Sequence, residues 1–110
     1  MNSMKATDLM SSLGGGQPPL VLDVRRAQAR NRSGQQIPGA LFRDPALWLD
    51  WKDDMAQRAP VVLYCAHGQE ISQALTTALR VMGADAVYLE GGFAAWEHMG
   101  GPIVPLAAGG

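Results

Sequence analysis

Three short apolar runs constrain this chain most. They are Leu20-Val21-Leu22-Asp23-Val24, Val61-Val62-Leu63-Tyr64 and Ala86-Val87-Tyr88-Leu89. A strand with one wet face alternates apolar and polar residues; these runs do not, apart from Asp23, so they read as strands covered on both faces. Helical patterns lie between them. That alternation predicts an α/β fold, a small parallel sheet with helices on both faces. A chain of 110 residues suits one domain, expected here over 1–110 with its core in roughly 19–105.

The spacing predicts the following elements. A short helix covers 7–13, with Leu9, Met10 and Leu13 on one face. The run Gly14-Gly15-Gly16-Gln17-Pro18-Pro19 stops it and turns the chain into the first strand. Residues 40–42 suit a short strand. Asp44-Pro45 reads as a helix N-cap followed by proline at the first helical position, and Leu47, Trp48, Trp51 and Met55 form the face of the next helix. Pro60 ends that segment. The clearest helix is 71–82, where Ile71, Leu75, Ala78, Leu79 and Met82 share a face before Gly83. Gly91-Gly92 turns the chain into a last helix over 93–99, with Phe93 and Trp96 inward. The polar stretch 30–36 reads as irregular. The Ala/Gly-rich tail 106–110 reads as frayed; its Gly109-Gly110 resembles the ending of thiocarboxylated sulfur carriers, whose mainly β pattern this chain lacks.

Composition narrows the function classes. The net charge is −1, with no basic stripe, which argues against nucleic acid or an anionic membrane as partner. The longest apolar stretch, 61–66, is far short of the ~20 residues of a membrane-spanning helix. The first thirteen residues lack the apolar run of a secretory leader. One cysteine allows no internal disulfide, and one cysteine with two histidines at unsuitable spacing predicts no metal site. Together these point to a cytoplasmic protein.

The cysteine is the candidate nucleophile. In open α/β sheets ligands sit outside the carboxyl ends of the strands, and Cys65 lies there, between a strand and a helix N-terminus. Helix N-termini expose unpaired N–H groups, and a loop turned by Gly68 can aim several of them at one point. A thiolate, or the anionic end of a persulfide, suits such a cradle. The alternative is a buried cysteine acting as a small hydrophobe. Asp23, in an apolar strand, must be paired: it either orients the cysteine loop or accepts from backbone N–H groups and Arg25. Arg25 attracts an anionic donor or is solvated. His67, two residues past the cysteine, reads as a rim residue more than as a catalytic base, because such near neighbours diverge in a tight loop. His98 reads as a surface residue, and Trp48, Trp51 and Trp96 as core or as a wall of the site.

Four ordered blocks carry a family resemblance. Val21-Leu22-Asp23-Val24-Arg25, Ile37-Pro38-Gly39-Ala40 (preceded by Gln36, where a His is usual), the strand Val61-Val62-Leu63-Tyr64 ending in Cys65, and Tyr88-Leu89-Glu90-Gly91-Gly92 with Ala95-Trp96 resemble the rhodanese-like sulfurtransferases. The resemblance implies transfer of sulfane sulfur: Cys65 takes sulfur from thiosulfate or a persulfide, holds it as a persulfide and passes it to a thiophilic acceptor such as cyanide, a thiol or an acceptor protein. It implies no cofactor and no metal. It implies that Ala66, His67, Gly68, Gln69, Glu70 and Arg25 bind the donor, with Asp23 as structural support. Many members read Cys-Arg-x-Gly-x-Arg-Ser, whereas Ala66 and Glu70 replace both arginines here. That loss disfavours thiosulfate as donor. It also keeps open a non-catalytic or redox-sensing module, and it argues against a cysteine phosphatase or arsenate reductase, which needs a bidentate loop arginine.

Overall fold

The structure is a computed structural model and describes residues 2–56 and 60–106. In chain order the elements are β1 (Ser3–Met4), α1 (Ala6–Leu13), β2 (Leu20–Asp23), α2 (Ala27–Ser33), β3 (Gln35–Gln36), β4 (Leu41–Phe42), a 3-10 turn (Pro45–Leu47), α3 (Trp48–Ala56), β5 (Val61–Tyr64), α4 (Glu70–Val81), β6 (Ala86–Leu89), α5 (Gly92–His98) and β7 (Val104–Pro105). The main sheet is five-stranded and wholly parallel, in the order β1-β6-β5-β2-β4. This is the predicted α/β architecture. A small antiparallel pair, β3 with β7, lies apart from it.

Alternation along β5 shows how both faces are covered. Val62 and Tyr64 pack with Leu9 of α1 and Phe93 and Trp96 of α5. Val61 and Leu63 pack with Trp51 and Met55 of α3 and Leu79 of α4. All four β5 residues are buried, so the central strand has no wet face, and its uniform apolarity follows. The indole N–H groups of the core tryptophans are satisfied: Trp96 donates to the Pro102 carbonyl and Trp51 to that of Asp44. Asp44 caps its turn as expected, accepting from the Ala46 N–H at 2.9 Å.

Several expectations are corrected. The stretch 30–36 is not irregular: α2 runs through Ser33, and Gln35–Gln36 is a strand. Polar composition hid a helix because its partners are polar too, Arg30 turning inward onto a charged group. Leu47, Met10 and Met82 sit on exposed surface; the helix of Leu47 begins one turn later than the apolar spacing suggests, and the other two lie at the edges of their stripes. Leu106 is anchored, its N–H donating to the Gly34 carbonyl at 3.0 Å. The rest of the expected frayed tail, including Gly109-Gly110, lies outside the described residues. Among the described residues no helix is long and apolar enough to cross a membrane.

Candidate active site

The register of the two central strands builds the site. β2 and β5 are parallel neighbours with Asp23 beside Tyr64, so the segments that follow them leave the sheet side by side. One carries Arg25 and Arg26, the other Cys65 to Glu70. Between them lies an open cavity of about 380 Å³ that Cys65 lines together with Arg25, Arg26, Ala66, His67, Gln69 and Glu70. Cys65 is buried to 6% exposure, so the sulfur sits at the floor rather than on the rim.

The cysteine loop is shaped by where its carbonyls go. The Cys65 and Ala66 carbonyls accept from the N–H groups of Phe93 and Ala94 in the first turn of α5, at 2.9 and 3.0 Å. The Gly68 carbonyl accepts from the Gln73 side chain at 2.8 Å. In a trans peptide the C=O and N–H point in opposite directions. Holding the Ala66 and Gly68 carbonyls away from the sulfur therefore turns the N–H groups of His67 and Gln69 toward it. These two N–H groups and that of Ser72 each favour the Cys65 thiolate. The Ser72 hydroxyl lies 3.1 Å from Sγ and is fully buried. Burial pushes the Cys65 thiol up, the Ser72 hydroxyl and the three N–H groups pull it down, and the balance falls below the ordinary thiol value. The thiol is thus lowered in the direction expected from the strand–loop–helix position.

Gly68 shapes the loop through its backbone. Its φ is +68°, and a side-chain carbon there would lie 2.6–2.7 Å from the backbone nitrogens of Gly91 and Gly92. The loop can press onto the start of α5 only where no side chain intervenes.

Asp23 and Arg25 form the pair that the sequence suggested. Arg25 Nε and Nη2 donate to the two carboxylate oxygens at 2.9 and 2.7 Å, and the Arg25 N–H adds a third bond at 3.1 Å. Arg25 is 2% exposed, so the solvated alternative is overturned. Its guanidinium rests on the Phe93 ring, 4.4 Å from the centroid. Burial alone lowers the Arg25 pKa, but the Asp23 carboxylate more than offsets this and keeps the guanidinium charged. Arg30 approaches the same carboxylate at 3.4 Å and reaches Gln36 Oε1 at 3.2 Å. Two buried arginines therefore share one aspartate. Tyr64 lies beside them, and burial together with the Asp23 charge pushes its phenol up.

His67 is exposed and lines the cavity, and it is its backbone N–H that favours the thiolate. His98 is exposed, as expected. Among the described residues no cluster of three or more His, Cys, Asp or Glu is placed to hold a metal ion. Sequence reasoning missed Ser72, Arg26 and Arg30. A signal existed for Ser72: with Thr76 and Leu79 it forms a second stripe at helical spacing, and all three are fully buried.

Known proteins bear on this arrangement. The family model for the rhodanese-like domain matches residues 5–99. A rhodanese-related protein from Thermoplasma volcanium superposes with a TM-score of 0.79 at 27% identity, covering 94% of this chain and 98% of that one. A protein from Rhodopseudomonas palustris described as a possible tyrosine phosphatase has a TM-score of 0.78 at 27% identity, covering 94% of this chain and 85% of its own. A thiosulfate sulfurtransferase from Pseudomonas aeruginosa has a TM-score of 0.75 at 22% identity; 94% of this chain matches 19% of that chain, a likeness of fold. No curated protein matches the chain.

Proposed function

Because this chain belongs to the rhodanese-like domain family, we propose that it transfers sulfane sulfur from a donor such as thiosulfate or a persulfide to a thiophilic acceptor, through a persulfide on Cys65. The observation that carries this reading is the setting of Cys65: its sulfur lines a cavity with the buried Ser72 hydroxyl 3.1 Å away, and the nearby N–H groups of His67, Gln69 and Ser72 add to the pull that lowers the thiol. Such a site favours sulfur as an anion both before and after loading.

The steps balance as follows. The Cys65 thiolate attacks the outer sulfur of thiosulfate; an S–S bond forms at Sγ, the S–S bond of the donor breaks, and sulfite leaves with the electron pair. The loaded enzyme carries Cys–S–S⁻, whose terminal sulfur stands about 2 Å beyond Sγ. An acceptor such as cyanide, a thiol or a thiol-bearing protein then attacks that terminal sulfur, and the Cys65 thiolate departs back into its cradle. The residues supply alignment and charge stabilisation, and no proton transfer to the attacking sulfur is required.

A phosphatase reading has less support. Phosphoryl transfer draws on a loop arginine that grips the equatorial oxygens. Residues 66–70 contain none, and Arg25 is already committed to Asp23. Whole-protein mass spectrometry after exposure to thiosulfate, and separately to a persulfide, tests the proposal. The expected result is a gain of one sulfur, removed by cyanide and absent in Cys65→Ala. Loading of the Cys65→Ala variant, or no loading of the folded protein by either donor, would overturn it and leave the non-catalytic or redox-sensing module.

A further inference from the structure

We propose, resting on the sulfur-transfer reading above, that the donor matched to this cavity is a small zwitterionic persulfide, one bearing an ammonium and a carboxylate as an α-amino acid persulfide does. Two observations converge. First, the cavity around Cys65 is lined by charges of opposite sign on its two banks: Arg26 on the segment after β2, and Glu70 at the start of α4. Second, these two charges are not used internally. Both residues are exposed, and among the described residues neither has an ion-pair partner, the other included. Arg25, the remaining cation at the cavity, is buried and held by Asp23.

A doubly charged anion fits this pattern poorly, since it would share the cavity with the Glu70 carboxylate and with a sulfur that is itself anionic. An uncharged donor leaves both charges unmatched. A zwitterion satisfies both at once, its carboxylate toward Arg26 and its ammonium toward Glu70, which orients its sulfane sulfur down toward Cys65. Such a donor places its charges within a few bonds of the reacting sulfur, on a scale that a 380 Å³ cavity accommodates. The step is balanced: the Cys65 thiolate attacks the outer sulfur of R–S–SH, the new S–S bond forms at Sγ, the donor S–S bond breaks, and R–S⁻ leaves to take a proton from water. Arg26 and Glu70 are thus specificity-determining residues for the donor.

Single-turnover loading of Cys65, followed by intact mass, tests this with four donors: cysteine persulfide, N-acetylcysteine persulfide (no ammonium), cysteamine persulfide (no carboxylate) and thiosulfate. Each persulfide rate is divided by its rate with free mercaptoethanol, to remove intrinsic reactivity. One unit charge facing another at ~6 Å and an effective dielectric of ~40 is worth about tenfold. Cysteine persulfide should therefore load about tenfold faster than either truncated persulfide. Glu70→Gln should abolish its advantage over the N-acetyl donor, and Arg26→Gln its advantage over the cysteamine donor, each leaving the other preference in place. Equal normalised rates for the three persulfides in the wild-type protein overturn this proposal and leave sulfur transfer standing. Failure of all four donors to load the folded protein overturns the sulfur-transfer reading, and this proposal with it.

Discussion

Ser72→Ala separates the chemistry of the cradle from its architecture. The hydroxyl lies 3.1 Å from Cys65 Sγ and is fully buried, so water cannot readily replace it. A hydrogen bond to a charged group contributes about 1.5–3 kcal/mol, and about 1.4 kcal/mol corresponds to one pKa unit. With the three N–H donors still in place, the lower end applies, and the thiol should rise by about one unit. The thiolate fraction at pH values below both inflections then falls about tenfold. The remaining thiolate is more basic and hence more nucleophilic: with a Brønsted coefficient of about 0.45 its intrinsic rate rises about threefold. Alkylation by iodoacetamide should therefore slow three- to fourfold or so at low pH and speed up about threefold on the alkaline plateau, so that the two pH profiles cross. A merely structural role for Ser72 moves neither limb in this way. Ser72→Thr should restore much of the original profile. The same linkage fixes a stability trend: the folded thiol lies below its unfolded value, so its contribution is complete above about pH 8.5 and is lost as pH falls through the folded value. An unshifted inflection in folded Ser72→Ala would refute the assignment and leave the backbone N–H groups as the whole cradle.

Two further outcomes follow from the packing. Asp23→Asn leaves Arg25 and Arg30 buried beside a neutral group; breaking such a cluster costs about 3–5 kcal/mol, so thermal unfolding should shift down by about 12 °C or more, and a change of a degree or two would show that the carboxylate is dispensable. Gln73→Leu removes the donor to the Gly68 carbonyl, freeing the 68–69 peptide to rotate and withdraw the Gln69 N–H; the alkylation inflection should rise by less than in Ser72→Ala, with little change in melting temperature, and an unchanged inflection would show that the loop holds that peptide without Gln73.

Much of this was legible because it depends on local pattern. Uniform apolar runs gave away the three long parallel strands, and a glycine-containing loop between strand and helix gave away the position of Cys65. What stayed hidden depends on contacts distant in sequence. β1, β3 and β7 are two residues long, too short to carry any period. Helix α2 is polar because its inward face meets the Asp23 carboxylate rather than an apolar core, so a hydrophobic stripe was the wrong signal for it. Ser72 was passed over because Ile71 and Leu75 mark a stripe that is only half-buried, whereas the small Ser72 and Thr76 face the sheet. The clamp by Gln73 on Gly68 has no sequence signature, since nothing local distinguishes it from any exposed glutamine on a helix.

The loop arginines common in the family are absent, yet the cavity is not short of cations, and the difference lies in which segment supplies them. Arg25 and Arg26 come from the segment after β2, while the segment that bears the nucleophile supplies backbone N–H groups and one carboxylate. Arg25 spends Nε and Nη2 on Asp23, with Nη2 also reaching the Gln35 carbonyl at 2.7 Å, so it offers the cavity its field rather than a bidentate grip. That division assigns different tasks to different banks. Under the proposed function, the backbone and Ser72 set the thiolate and hold the persulfide, while Arg26 and Glu70 discriminate among donors. The two tasks should therefore separate under mutation: Ser72→Ala and Gln73→Leu move the pH profile and keep the order of donors, whereas Glu70→Gln reorders the donors and moves the profile far less. If the Glu70 variant shifted the inflection as much as Ser72→Ala does, one electrostatic field would govern both, and the division between backbone and side chains would not hold.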